Sequence, residues 1–167
     1  MKIIIIDFGG NMDYYDNKRV IIIIRDFILS DKEDFLRFAK GLYSSGATCH
    51  PVPDSHFEMT FNMIISKDLI VRGLMIVCDN KNVGYCQLSF THSTEAGGMV
   101  VWIEELFIDE NYRCRGLGSE LFEFLNSEYG NTAARLRLEV AKENEGAIKL
   151  YKRLGFEELP YIQLIKE

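Results

Sequence analysis

Proline is scarce in this chain, with three in 167 residues and no serine-, glycine- or proline-rich tract around them. Disordered tails and interdomain linkers of the usual compositions are therefore not expected. The four cysteines, Cys49, Cys78, Cys86 and Cys114, show no C-x-x-C spacing, and nothing resembles a cleavable signal peptide. They read as reduced thiols of a cytoplasmic protein. Long apolar runs are missing too. "IIII" (3–6) and "VIIII" (20–24) are broken by Asp7 and Arg25, too short to cross a bilayer, so they read as buried strands and no membrane partner is expected. Basic excess is also missing: 25 Asp and Glu stand against 19 Lys and Arg, a net charge of −6. That argues against a nucleic-acid partner and is compatible with a cationic substrate, although solubility alone accounts for the same balance. No repeat of solenoid period is present.

What is present fits one domain. The length and a 47% hydrophobic composition suffice for a substantial core. After an extra strand within 3–8 and a polar loop, the first main strand spans 20–28. Ser30-Asp31-Lys32-Glu33 has capping-box spacing ahead of a helix near 31–44, and a second helix follows Pro53. Strands at 69–78 and 83–92 flank a short turn-rich segment and form an antiparallel hairpin. A strand at 98–108, a helix near 117–129, a strand at 135–141 and a helix near 145–154 come next. Two short strands split by Pro160 close the chain. Hairpins combined with one β-α-β crossover predict an α/β fold with a mixed sheet, its parallel pair being 98–108 with 135–141.

Two segments carry chemistry. "YRCRGLGS" (112–119) joins that strand to its helix. Glycine permits positive φ and close approach of a ligand, and a helix N-terminus presents free N–H groups and positive potential, which suits a diphosphate. The segment matches neither the P-loop nor the dinucleotide-binding glycine pattern. In "AKENEGAIKLYKRLGFEEL" (141–159), Asn144 is placed to cap a helix on which Tyr151 lies two turns further along.

These two blocks, "WIEELFIDENYRCRGLGSELFEFL" and "LRLEVAKENEGAIKLYKRLGFEEL", resemble those of the GNAT superfamily of acetyl-CoA-dependent N-acetyltransferases. The first matches its [QR]-x-x-G-x-[GA] loop and the second its Asn…Leu-Tyr-x-x-x-Gly-Phe block, in the family's order and separation. The resemblance covers about 20–167 as a single acetyltransferase domain, with 1–19 as an N-terminal extension. It implies a mixed, mostly antiparallel sheet with a central splayed parallel strand pair flanked by helices. It further implies that backbone amides of Arg113, Cys114, Arg115, Gly116, Leu117, Gly118 and Ser119 hold the CoA diphosphate. The pantetheine would pair with strand backbone near Phe107 and Ile108, and Asn144 would complete the cosubstrate site. Tyr151 matches the family's acid for the leaving thiolate.

For the base, Glu104 and Glu105 are both candidates. Consecutive strand residues face opposite sides unless a bulge intervenes. Glu104 is favoured, acting through water. Tyr43, His50 and Phe57 are expected to line the acceptor pocket, with His92, Trp102 and Glu105 nearby. Cys49, His50, Asp54 and His56 match no zinc spacing, and no metal is expected. The function expected is transfer of acetyl from acetyl-CoA to a primary amine, of a small molecule or a peptide, with a small cationic acceptor favoured. The alternative is a non-catalytic acyl-CoA sensor. A homodimer is suggested by analogy alone.

Overall fold

Two periodicities build the layers. In the computed structural model, which describes residues 2–6, 20–45 and 52–166, the described strands form one sheet in the order β1-β2-β3-β4-β5-β6. They are β1 (Lys2–Ile6), β2 (Val20–Asp26), β3 (Val71–Cys78), β4 (Lys81–Ser93), β5 (Gly98–Ile108) and β6 (Arg135–Leu138). All neighbours run antiparallel except β5 and β6. The expected mixed, mostly antiparallel sheet is therefore what forms, and its parallel pair stands at one end of the described order. The helices are α1 (Lys32–Ser44), α2 (Asp54–Ile65), α3 (Leu117–Tyr129) and α4 (Glu145–Arg153).

Alternation along the strands sorts side chains to two faces. Ile22, Ile24, Leu74, Ile76, Leu88, Val101 and Ile103 pack with Leu117, Leu121, Phe122 and Leu125 of α3. On the opposite face Met75, Val77 and Tyr85 pack with Phe35 and Phe38 of α1 and Phe57 and Phe61 of α2. Each such buried side chain contributes about 1.5–3 kcal/mol. Asp79 and Asn80, with φ of 48° and 63°, turn β3 into β4. Paired positive φ values of this kind match the twist of a two-residue hairpin.

Two expectations fail. The capping box at Ser30 is not used. A 3₁₀ turn (Leu29–Asp31) precedes α1, and the helix is capped by Asp31 without a side-chain bond. The Asp31 carboxylate instead takes Arg25 at 2.6 and 2.9 Å, the Ile28 N–H at 2.9 Å and Asn82 at 3.1 Å. Asp31 is almost fully buried, and a buried charge needs paired hydrogen bonds more than a helix end needs a cap. Burial alone would raise its pKa, but Arg25, the Ile28 amide and Asn82 together hold it below the usual carboxylate value.

The second failure is the closing strand pair. Residues 156–166 adopt no regular structure, and Ile162 and Leu164 are 89% and 92% exposed. Pro160 removes a ladder donor in the middle of the segment, and β6 ends at Leu138, offering only four residues to pair with.

Candidate active site

The glycine turn begins where β5 ends. After the 3₁₀ turn Glu110–Tyr112, Cys114 and Gly116 both take positive φ, 59° and 80°, and α3 starts at Leu117. Leu117 is buried and anchors the helix end. The Glu120 N–H reaches the Gly116 carbonyl at 3.0 Å. The N–H groups of Leu117, Gly118 and Ser119 precede that bond, so they have no intrahelical acceptor and stand at the positive end of the helix. Arg113 Nε donates to the Ile108 carbonyl and an Arg115 guanidinium nitrogen to the Asn111 carbonyl, each at 2.8 Å. These bonds hold two exposed guanidinium groups at the rim. At Gly118, an added Cβ would meet Leu150 at 3.0 Å, so α3 and α4 approach closely there.

The parallel pair splays. Register runs from Val100↔Arg135 to Ile103↔Leu138 and stops, while β5 continues to Ile108. The β6-side backbone edge of 104–108 is thus opened, with Tyr151 on α4 belonging to the same cluster as Leu106, Ile108 and Leu138. Asn144 caps α4 by accepting from the Ala147 N–H at 3.2 Å. Tyr151 packs edge-on to Phe122, ring centroids 5.6 Å apart, and beside Phe156. Burial, with a smaller contribution from Cys86, pushes its phenol up to about 12. It is a neutral O–H donor at any ordinary pH.

A bulge decides the geometry of the glutamates. Gln87 faces Glu105 but Leu88 faces Ile103, so Glu104 is an extra residue in β5. Alternation is reset, and both carboxylates turn to the α1/α2 face. Glu105 is tied on both oxygens, to the Tyr43 hydroxyl at 2.7 Å and the Tyr85 hydroxyl at 2.5 Å. Burial, then Glu105, raises the pKa of both phenols well above normal. Glu104 is exposed and accepts from the Ser89 hydroxyl.

The remaining candidates divide. Tyr43 packs against Phe57 in a tilted arrangement, ring centroids 5.2 Å apart, beside Glu105. Trp102 lies on the same face, with the Arg137 guanidinium 4.1 Å from its ring centroid. His92 pairs with Met99 at the far end of β4, exposed, and alternation from Tyr85 and Ser89 points it to the other face. His50 and Cys49 lie outside the described residues. Asp54 pairs with Lys40 at 2.7 Å, and among the described residues no cluster of His, Cys, Asp or Glu could hold a metal. No described helix is long and apolar enough to cross a membrane. Sequence reasoning missed Tyr85, Ser89 and Arg137. Tyr85 and Ser89 left a trace in the alternation Tyr85-x-Gln87-x-Ser89, where polar groups recur on one face of an inner strand.

The sequence profile of the acetyltransferase (GNAT) family matches residues 38–156. The chain belongs to that family. An uncharacterised N-acetyltransferase of Methanocaldococcus jannaschii is 31% identical over 141 residues, 81% of this chain and 60% of that protein. A spermine/spermidine N(1)-acetyltransferase of Bacillus subtilis is 36% identical over 59 residues, 34% of this chain and 39% of that one. The chain thus spans less than two thirds of these curated relatives. Among solved structures, an aminoglycoside N-acetyltransferase in complex with CoA superposes with a TM-score of 0.74 at 20% identity, over 92% of this chain and 99% of that one. This likeness is one of fold.

Proposed function

We propose that this GNAT-family chain is an acetyl-CoA-dependent N-acetyltransferase acting on a primary amine by direct attack. The observation that carries the proposal is the position of the β5–β6 fork. On one side stand the free amides of α3 and the Tyr151 phenol; on the other stand two carboxylates brought to one face by a bulge. Family membership and the CoA complex of a fold relative support the cosubstrate. The open space around Gly116, where an added Cβ would meet nothing within 4 Å, suits a diphosphate laid against the α3 amides.

In this reading the CoA diphosphate takes the amides of about Arg113 to Ser119, with the two arginines adding charge. The pantetheine runs along the opened edge of β5 near Phe107 and Ile108, with Asn144 flanking it on α4. An ammonium of pKa about 10 arrives protonated and must lose a proton. Both oxygens of Glu105 are engaged by phenols, which leaves Glu104 to take that proton through water. The nitrogen adds to the thioester carbonyl, and a β5 backbone N–H stabilises the oxyanion. The C–S bond breaks, the Tyr151 O–H protonates the leaving thiolate, and the acylated nitrogen releases its second proton to solvent while the phenolate is reprotonated from solvent.

The test is acetyl-CoA-dependent thiol release across a panel of amines, with the protein's own thiols subtracted. Tyr151→Phe should lower kcat about 100-fold and leave the acetyl-CoA thermal shift intact, as expected for loss of a general acid. Glu104→Gln should lower kcat more than Glu105→Gln does. A stabilising thermal shift with acetyl-CoA but no turnover of any amine would favour the acyl-CoA sensor; no shift at all would remove CoA from the site.

A further inference from the structure

The α1/α2 face beside the fork carries charges of both signs that do not neutralise one another. Among the described residues, Glu104 and Glu105 are bound by hydroxyl groups alone, from Ser89, Tyr43 and Tyr85. Arg137, opposite Trp102 in the β5–β6 register, stacks its guanidinium on the Trp102 ring and forms no ion pair with a described residue. Its neighbour on the same strand face, Arg135, does pair, with Glu95 at 3.6 Å. Arginine is the side chain suited to bidentate capture of a carboxylate, and stacking on an aromatic ring holds its plane without using its donors. Two carboxylates for an ammonium and one pre-oriented guanidinium for a carboxylate complement a zwitterion. A plain polycation would meet repulsion at Arg137.

Spacing narrows the class. Trp102 and Glu104 are two residues apart along β5, about 7 Å of strand, and Arg137 reaches the Trp102 ring from the neighbouring strand. An α-amine sits beside its carboxylate and stays near Arg137 when that carboxylate is bound there. A side-chain amine several bonds away does reach Glu104.

Resting on the acetyltransferase reading above, we infer that the acceptor is a free basic amino acid, acetylated on its side-chain amine, with Arg137 as the residue that binds its carboxylate and sets specificity. Arg137 takes no part in the chemistry. It discriminates between amines that differ only in a carboxylate.

The matched pairs lysine and cadaverine, and ornithine and putrescine, test this, since each diamine is its amino acid without the carboxylate. The wild-type protein should favour at least one amino acid over its diamine by tenfold or more in kcat/KM. In Arg137→Gln that ratio should fall towards one, with the loss carried by KM for the amino acid, and Arg137→Lys should recover part of it. An unchanged acetyl-CoA thermal shift in both variants confirms that they are folded. A wild-type preference for the diamines, or an Arg137→Gln effect equal on both members of a pair, overturns the inference. So does turnover of other amines but none of these four, an outcome that leaves the acetyltransferase reading standing. No turnover of any amine together with no acetyl-CoA thermal shift overturns both.

Discussion

The two faces of the sheet are built on different principles. The α3/α4 face is largely aliphatic, and what it offers a ligand is backbone: a left-handed glycine, the first amides of a helix and the opened edge of a strand. The α1/α2 face is aromatic, and what it offers is side chains: two carboxylates, two phenols, an indole and a guanidinium. Backbone recognition suits a partner that never changes. Side-chain recognition can be altered one residue at a time, which is how one fold serves many acceptors.

The contrast can be broken hardest at Phe35. It is 1% exposed and packs against Phe27, Phe61 and Tyr85 at centroid distances of 5.1–5.9 Å. Phe35→Ala should destabilise the protein by about 3–5 kcal/mol. Chemical denaturation reads that loss. Where the variant folds, acceptor KM should rise more than the acetyl-CoA Kd. A denaturation midpoint within error of the wild type would show that this aromatic layer does not hold the α1/α2 face together.

On the other face, Gly116→Ala should cost about 1–2 kcal/mol through its positive φ, and the cost should appear in acetyl-CoA binding. Titration calorimetry should give a Kd raised roughly tenfold, with amine specificity unchanged. A specificity change would mean that the faces are not independent.

Alkaline pH sharpens the comparison further. Tyr43 and Tyr85 on one face and Tyr151 on the other all have pKa values raised above 10 by burial. The folded state therefore holds protons that the unfolded chain releases above pH 10. Their contribution to stability is full below about pH 10 and is lost as pH rises through the folded values. The melting temperature should fall from pH 9.5 to 11.5, less steeply in Glu105→Gln, where the neighbouring negative charge is gone. Equal slopes would assign the effect to burial alone.

The smallest effect is expected from Asn144→Ala. It removes the α4 cap and should cost about 1 kcal/mol, lowering stability with little change in the Ser89–Glu104 side of the site.

The glycine turn, α3 and α4 were legible in the sequence because backbone sites demand particular residues: glycine where φ is positive, asparagine where a helix starts. The carboxylate face was not. Two adjacent glutamates on a regular strand point to opposite sides, and only the extra residue that Glu104 makes in β5, opposite the Gln87/Leu88 step of β4, brings them together. Bulges are fixed by pairing between distant segments and leave little local mark. The Ser30 capping box misled for a related reason: Arg25, brought close by tertiary structure, outcompeted the helix end for Asp31. The closing strands around Pro160 do not form because β6 ends at Leu138 and leaves only four residues to receive them.

The parting of β5 from β6 has one more consequence. It leaves a notch inside a sheet, bordered by a backbone whose donors and acceptors recur at the strand repeat. A guest that settles there is chosen less by outline than by rhythm, by amide groups spaced along an extended chain so that each falls opposite a partner. Such a notch is tolerant of what hangs from the guest's end. Selectivity for that end must then be exercised elsewhere, by side chains rather than by the strand edge.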